Sequence, residues 1–395
     1  MNRKALDDIE VIDLGQIYNG PYCSLLLSYL GADVTKVEPP HGEPLRARVD
    51  NGEPPELVML NSNKKGITLN LKAERGKELL KELIEDADVL VENYAVGTMD
   101  RLGLGYETLN EINPELIYAH GSGFGEDGPY RQYPAMDLTI QAIGGVMDVT
   151  GFSDGPPVKA GVAVGDFMGG IHLAAGVLGA LYQRERTGEG QFVEVSMHDA
   201  VYPTLMSPMA AHFNGDDVPP RTGNRHSGLA QSPYNVYETA DGYIAIFGVT
   251  DDHWHSLLDV IGRSDLKDDP RFQSNVKRSK HADEVDRIVE NWTRRYERDE
   301  IEEILLEAGV PCGPVKEISE VVEDPHLKDR KMINDIEHPS YGNISVPGLP
   351  IRLEDSDIPD IEPSPEKGRD NREVYRNRLG LSAEEVDELE THDVI

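Results

Sequence analysis

With 395 residues, 38% of them hydrophobic, the chain can bury a substantial core and is long enough for about two domains. Its 72 acidic residues against 38 basic ones leave a formal net charge of −34, which argues against nucleic acid as a partner. No run of about 18 apolar residues offers a membrane span, and two distant cysteines, Cys23 and Cys312, give neither a disulfide framework nor a metal pattern.

The acids are spread through periodic, glycine-punctuated sequence rather than gathered in blocks, and Arg outnumbers Lys. That balance suits a folded protein in a salt-loaded cytoplasm, where charges of one sign are screened from one another. The N-terminus lacks the apolar segment of a signal peptide and enters a strand pattern almost at once, which reads as cytoplasmic. "IEVIDLG" (9–15) predicts a buried strand, "PYCSLLLSYLGA" (21–32) a helix with Pro21 in its first turn, and "DVTKVEPP" (33–40) a second strand, together a βαβ opening. "AERGKELLKELIEDA" (73–87) places Leu79, Leu80, Leu83, Ile84 and Ala87 on one helical face. "DVLVENY" (88–94) and "ELIYAHGSGFG" (115–125) read as further strands. A helix is expected from Asp166 to about Arg186, then a strand and the start of a helix over 190–202. The alternation predicts an α/β fold with a doubly wound parallel sheet. The Pro/Gly/Asp-rich stretch 213–228 reads as a linker, followed by a smaller, more polar α+β region to about 325. "VPGLPIRL" (346–353) and "LSAEEVDELE" (381–390) come after it, with Ser382 and Glu385 in capping-box spacing. The expected domains are 1–212 and 330–395 for the larger and 226–325 for the smaller.

Several motifs fail on their context. "GSGFGEDG" (121–128) follows a strand, but the dinucleotide fingerprint needs a helix next, and Pro129 and Pro134 follow instead. Ser122 lacks nucleophile-elbow spacing because His120 stands where a glycine is required. His253 and His255 have no further ligands in their pattern, so no metal is expected. Lys64 and Lys65 read either as a solvated turn or as an anion site in an otherwise acidic chain.

"GVAVGDFMGG" (161–170) sets one carboxylate, Asp166, between an apolar run and two glycines at a helix start. Asp166 either caps the helix or faces a substrate, with Gly169 and Gly170 admitting a ligand and the helix N–H groups holding an oxyanion. "VIDLGQIYNGPYCSLLLSYLGADVTKVEPP", "NSNKKGITLNLK", "VENYAVGTMDRLGLGYE", "GVAVGDFMGG", "RERTGEGQFVEVSMHDA", "GNRHSGLAQSPY" and "GVPCGPV" together resemble the class III CoA-transferases, the CaiB/BaiF family, over nearly the whole chain and in the same order.

The resemblance implies that Asp166 is the nucleophile, attacking an acyl-CoA thioester to give a mixed anhydride and then an aspartyl-CoA thioester. As an aspartate, it is expected to be ionised at neutral pH without a separate base. The resemblance also implies CoA contacts at Asn63, Lys64, Lys65, Asn93, Tyr94, Arg101 and Asp137. Tyr18 stands where formyl-CoA transferase has a Gln, and Pro39 replaces a basic family position. Tyr18, Asn19, Arg46, Arg48 and His226 are candidate substrate contacts, with His41 a further cation for a distal carboxylate. The implied architecture is an interlocked homodimer with an inserted small domain, its site between the large domain of one subunit and the small domain of the other, so Arg225 and His226 either serve the partner's site or merely turn the chain. CoA esters are expected as substrates, with no tightly bound cofactor, membrane or nucleic acid. Halophilic composition together with this family suggests succinyl-CoA and mesaconate; nothing between 221 and 245 resembles the tetraglycine run of formyl-CoA transferase. The alternatives are an isomerase on the same scaffold, disfavoured as a racemase because Met136 stands where the racemases carry histidine, or a non-catalytic CoA binder, disfavoured by Asp166.

Overall fold

The computed structural model describes residues 4–50, 52–215 and 218–395. These form two compact units. The first gathers the chain up to Ile140, Val162–Tyr202 and Val322–Ile395; the second gathers Gln141–Gly161 and Pro203–Val321.

The first unit carries a six-stranded parallel sheet. Strands β1 (Glu10–Asp13), β2 (Asp33–Glu38), β3 (Lys64–Thr68), β4 (Val89–Glu92), β5 (Ile117–Ser122) and β6 (Gln191–Ser196) lie in the order β3-β2-β1-β4-β5-β6. Alternation along each strand feeds two cores. Val11, Val89, Val91 and Ile117 point to one face, where the first helix, Asn19–Tyr29, and the long helix Val164–Thr187 pack. Ile12, Leu90 and Tyr118 point to the other, against the helix Glu74–Ile84 and Val374, Tyr375 and Val386 near the C-terminus. The long helix is apolar and long enough, by composition alone, to cross a membrane. In the fold Leu173, Ala174, Val177 and Leu181 are core residues. Gly188, left-handed at φ 71°, ends it, donating to Arg184 O at 2.8 Å. The predicted Ser382–Glu385 capping box opens the helix Ala383–Thr391.

β3 is the strand of this sheet that sequence periodicity missed, because "KKGIT" carries two lysines and a glycine. It is an edge strand, and its far side is covered by the C-terminal return. Gly66 N–H donates to Asp370 at 2.7 Å, Thr68 N–H donates to Asn371 at 2.8 Å, and Tyr375 OH donates to Thr68 O at 2.7 Å. Lys64 is fully buried and bonds Asp13 at 3.0 Å, Ser24 Oγ at 2.9 Å, Asn61 Oδ1 at 2.9 Å and Pro21 O at 3.0 Å. Burial pulls its ammonium down to about 8 against the attraction of Asp13. Lys64→Ala leaves a buried carboxylate without its partner, so unfolding in denaturant should show a loss of about 3–5 kcal/mol.

The second unit is α+β. Strands β7 (Tyr234–Glu238), β8 (Tyr243–Phe247) and β9 (Cys312–Pro314) form an antiparallel sheet. Its core includes Trp254, Phe272, Val289 and Ile301. Residues 141–161, expected in the larger domain, group here: Gln141 accepts from Ala160 N–H at 2.8 Å, and Arg221 bonds Asp148 and Gly155 O. Of the expected linker, Phe213 and Asn214 finish the helix Met206–Asn214, while Asp216 and Asp217 lie outside the described residues. A hairpin of β10 (Ile333–His338) and β11 (Gly342–Pro347) belongs to the first unit, so "VPGLPIRL" is the end of a strand and an irregular exit.

Candidate active site

Strand order reverses between β1 and β4, and in a doubly wound sheet the ligand crevice opens there, beyond the carboxyl ends of the strands. The chain leaving β1 is pinned residue by residue. Gly15 N–H donates to Asp13 at 2.7 Å, and Ile17 N–H donates to Glu43 at 2.9 Å. Between them, Gln16 N–H donates to Asn93 Oδ1 at 2.7 Å and Gln16 O accepts from Asn93 Nδ2 at 2.9 Å. Ile17 sits at φ 63°, a left-handed conformation that β-branched residues rarely adopt, and these bonds hold it there.

Asp166 reaches this crevice from the long helix. It is the third residue of that helix; Ala163 holds the N-cap position, with no side-chain cap of its own. The cap reading of Asp166 therefore fails. The capping carboxylate is Asp137, whose Oδ1 accepts from Gly165 N–H at 2.7 Å. That bond also occupies one of the N–H groups expected to hold an oxyanion. Gly169 and Gly170 serve packing, not ligand approach. A Cβ on Gly169 would clash with the Asn19 amide, and one on Gly170 with the Asn19 carbonyl, so both glycines admit the first helix. A Cβ on Gly121 would likewise clash with the Asn19 Oδ1. Gly169→Ala should displace Asn19 and cost about 1–3 kcal/mol in thermal or denaturant unfolding.

Asp166 is 8% exposed, and among the described residues none hydrogen-bonds to its carboxylate. Burial first, and the neighbouring Asp137 second, push it up to about 7, with Arg48 drawing it back. The expectation of a fully ionised aspartate at neutral pH is thereby corrected. Near neutrality the group is poised between its forms, and once ionised it is a stronger nucleophile than an ordinary aspartate.

Asp166 lines a cavity of about 450 Å³ with Gln16, Asn19, Phe124 and Met136. Gln16 and Tyr94 also line a second cavity, of about 710 Å³, whose wall includes His41, Leu69, Lys72 and Thr98.

The remaining sequence candidates separate clearly. Lys64 is unavailable to a ligand because it is buried on Asp13. Asn63 spends both ends of its amide on the chain at Asp360 and Glu362 and is structural, while Lys65 forms a surface pair with Asp33 at 2.8 Å. Arg46 grips Glu38 with two bonds of 2.7 Å and pairs with Glu53 as well, which takes it out of the substrate candidates. Asn93 lines the first cavity and Tyr94 both, and exposed Arg101 donates to Thr98 at 2.8 Å beside the second one. Asn19, 2% exposed, reaches the Asp166 carbonyl at 3.5 Å, while its buried Oδ1 has no hydrogen-bond partner among the described residues. Tyr18 OH accepts from Arg48 at 2.7 Å. His226 belongs to the second unit, where Nδ1 accepts from Gly228 N–H at 3.1 Å and the ring packs edge-on to Tyr234. Arg225 is bound to Asp283 and Asp286. Lys72 escaped the sequence reading. Its signal is positional: a cation just beyond the carboxyl end of an edge strand of a doubly wound sheet.

A model of CoA-transferase family III matches residues 6–371. A formyl-CoA:oxalate CoA-transferase of Streptomyces coelicolor is 40% identical over 415 residues, covering 100% of both chains. A succinyl-CoA:mesaconate CoA-transferase of Haloarcula hispanica is 38% identical over 361 residues, 88% of this chain and 90% of the relative. Among solved structures, a CaiB/BaiF family protein of Brucella suis aligns with a TM-score of 0.84 at 33% identity, over 96% of this chain and 100% of that one.

Proposed function

This chain belongs to CoA-transferase family III, and from that premise we propose that it moves CoA from succinyl-CoA to a second small dicarboxylic acid such as mesaconate, with Asp166 as the nucleophile. The observation that carries the reading is a buried carboxylate, free of hydrogen bonds among the described residues, on the wall of a cavity at the strand-order reversal.

The chemistry follows from that carboxylate. Its oxygen attacks the thioester carbonyl carbon, the C–S bond breaks, and CoA thiolate leaves a mixed anhydride on Asp166. The thiolate then attacks the Asp166 carbonyl carbon and releases the donor acid, giving an aspartyl-CoA thioester. The acceptor carboxylate reverses the sequence: it displaces the thiolate to form a new anhydride, and the thiolate takes the acceptor acyl group, restoring Asp166. Every intermediate holds one activated acyl bond, an anhydride or a thioester, so excluding water decides transfer over hydrolysis.

The second cavity suits the remainder of CoA, because it shares Gln16 and Tyr94 with the first. Asn93 and Tyr94 then flank the thioester arm, and Lys72, His41 and Arg101 are the cations for its phosphates. Self-association into a dimer is part of the reading. The long helix leaves Ile171 and Tyr182 43% and 62% exposed, an apolar surface that a second copy would cover. So are an inserted small domain formed by the second unit and a salt-rich cytoplasmic setting for the acidic surface. A formyl-CoA and oxalate pair is the second reading, favoured by the 40% identity to the Streptomyces relative.

The test is exchange in molar KCl, with succinyl-CoA or formyl-CoA offered to mesaconate, citramalate, itaconate, oxalate and carnitine in turn and products read by mass spectrometry. New acyl-CoA with the wild type but not with Asp166→Ala is the expected result. Folded protein that binds CoA yet exchanges no acid would overturn the transferase reading, and deuterium uptake at the α carbon would then favour the isomerase.

A further inference from the structure

We propose that Arg48 is the specificity-determining cation of this site: its guanidinium pairs with the second carboxylate of the acid being exchanged, so that diacids are taken in preference to monoacids of the same shape. The inference rests on the transferase reading above.

The segment between β2 and β3 carries three candidate cations, and the structure separates them. Arg46 is spent on Glu38 and Glu53. His41 belongs to the second cavity. Arg48 has one ion-pair neighbour among the described residues, Glu56 at 3.7 Å, and the two side chains are 41% and 43% exposed. An open pair of that length is weak and easily exchanged for a better carboxylate.

Arg48 is nevertheless held in place. Nη1 donates to Tyr18 OH at 2.7 Å, and the guanidinium carbon lies 5.3 Å from the Tyr18 ring centroid. The Tyr18 ring stacks in turn on Phe167, centroids 5.9 Å apart at 25°, and Phe167 follows Asp166. The run Asp166–Phe167–Tyr18–Arg48 therefore fixes a cation at the start of the long helix. It is close enough to lower the affinity of the Asp166 carboxylate for its proton. A guanidinium has five N–H donors, of which the tyrosine uses one, leaving an edge for two-point contact with a carboxylate. In molar salt, attraction is screened beyond roughly 3 Å, so only a cation already positioned for contact retains selectivity.

The experiment compares wild type, Arg48→Gln and Arg48→Lys. The diacid active in exchange, mesaconate or oxalate, is paired with its monoacid counterpart, tiglate or glyoxylate. The monoacid is read as a substrate or, where it is not turned over, as an inhibitor. In a ping-pong exchange kcat/KM for the acceptor does not depend on the donor. Arg48→Gln should lower kcat/KM for the diacid at least tenfold, mostly through KM, while the monoacid constant changes less than about twofold. Arg48→Lys should recover part of the diacid loss, since it restores charge without the fork. Equal losses for both acids, or no loss for the diacid, would overturn the proposal. Trapping of the acylated enzyme separates this failure from that of the parent reading. A hydroxylamine-sensitive adduct on Asp166 in the wild type, with no diacid selectivity lost in the variants, sinks the role of Arg48 alone. No adduct with any acyl-CoA sinks the transferase.

Discussion

Asp166→Asn should remove CoA exchange and make the protein more stable above neutral pH. An amide cannot attack a thioester and leave as a carboxylate, so the expected loss in kcat/KM is on the order of 10³-fold or more. The stability change has the opposite sign, for one reason. Folding raises this carboxylate from the ordinary aspartate value of 3.8 to about 7, chiefly because burial disfavours the charged form. A raised group binds its proton more tightly in the native state than in the unfolded one. The native fold therefore has its full relative stability below the unfolded pKa and loses it as pH rises through 7. Asparagine never ionises and escapes that loss. The variant should gain on the order of 3 kcal/mol over wild type at pH 8, with the difference shrinking to nothing below about pH 4. Denaturant unfolding at the two pH values checks the sign. A variant that is inactive and also less stable at pH 8 would mean that Asp166 is a structural residue.

The sheet was legible because parallel strands buried on both faces are short apolar runs, and "EVID", "VLVE" and "IYAHGS" are of that kind. β3 was not, because its lysines look like surface. What makes Lys64 a core residue is Asp13, 51 positions earlier, and pairing over that distance leaves no periodic trace. The carboxylate at the helix start was legible from its spacing to the glycines. Its cap was not, since the group that satisfies Gly165 N–H is Asp137, 28 positions upstream on another element. The glycines themselves were read for the wrong neighbour: they make room for Asn19 of the first helix, not for a ligand. Arg46 and Arg48 look alike in "PLRAR", and only the three-dimensional position of Glu38 and Glu53 shows that one of them is already used.

The pH profile of the exchange should report the same carboxylate. Because the reactive form is ionised, kcat/KM for the acyl-CoA rises with pH through about 7 and levels off above it, and below about pH 6 it falls tenfold per unit. Two charges face Asp166 in the first unit, Asp137 and Arg48, and they act in opposite directions. Asp137→Asn keeps an oxygen acceptor for Gly165 N–H, so the start of the helix stays capped, but it deletes the negative charge that opposes ionisation. Its rising limb should move to lower pH, giving a several-fold higher rate than wild type near pH 5.5 and a lower plateau above pH 8, since a carboxylate with a lower pKa attacks less readily. Arg48→Gln should move the limb to higher pH. Asp137→Ala adds the loss of the cap, about 1 kcal/mol of stability, which the Asn variant retains. Crossed profiles for wild type and Asp137→Asn identify electrostatic tuning of the nucleophile. Parallel profiles that differ only in height would leave Asp137 as a cap and nothing more, and the position of the limb would then be set by burial alone.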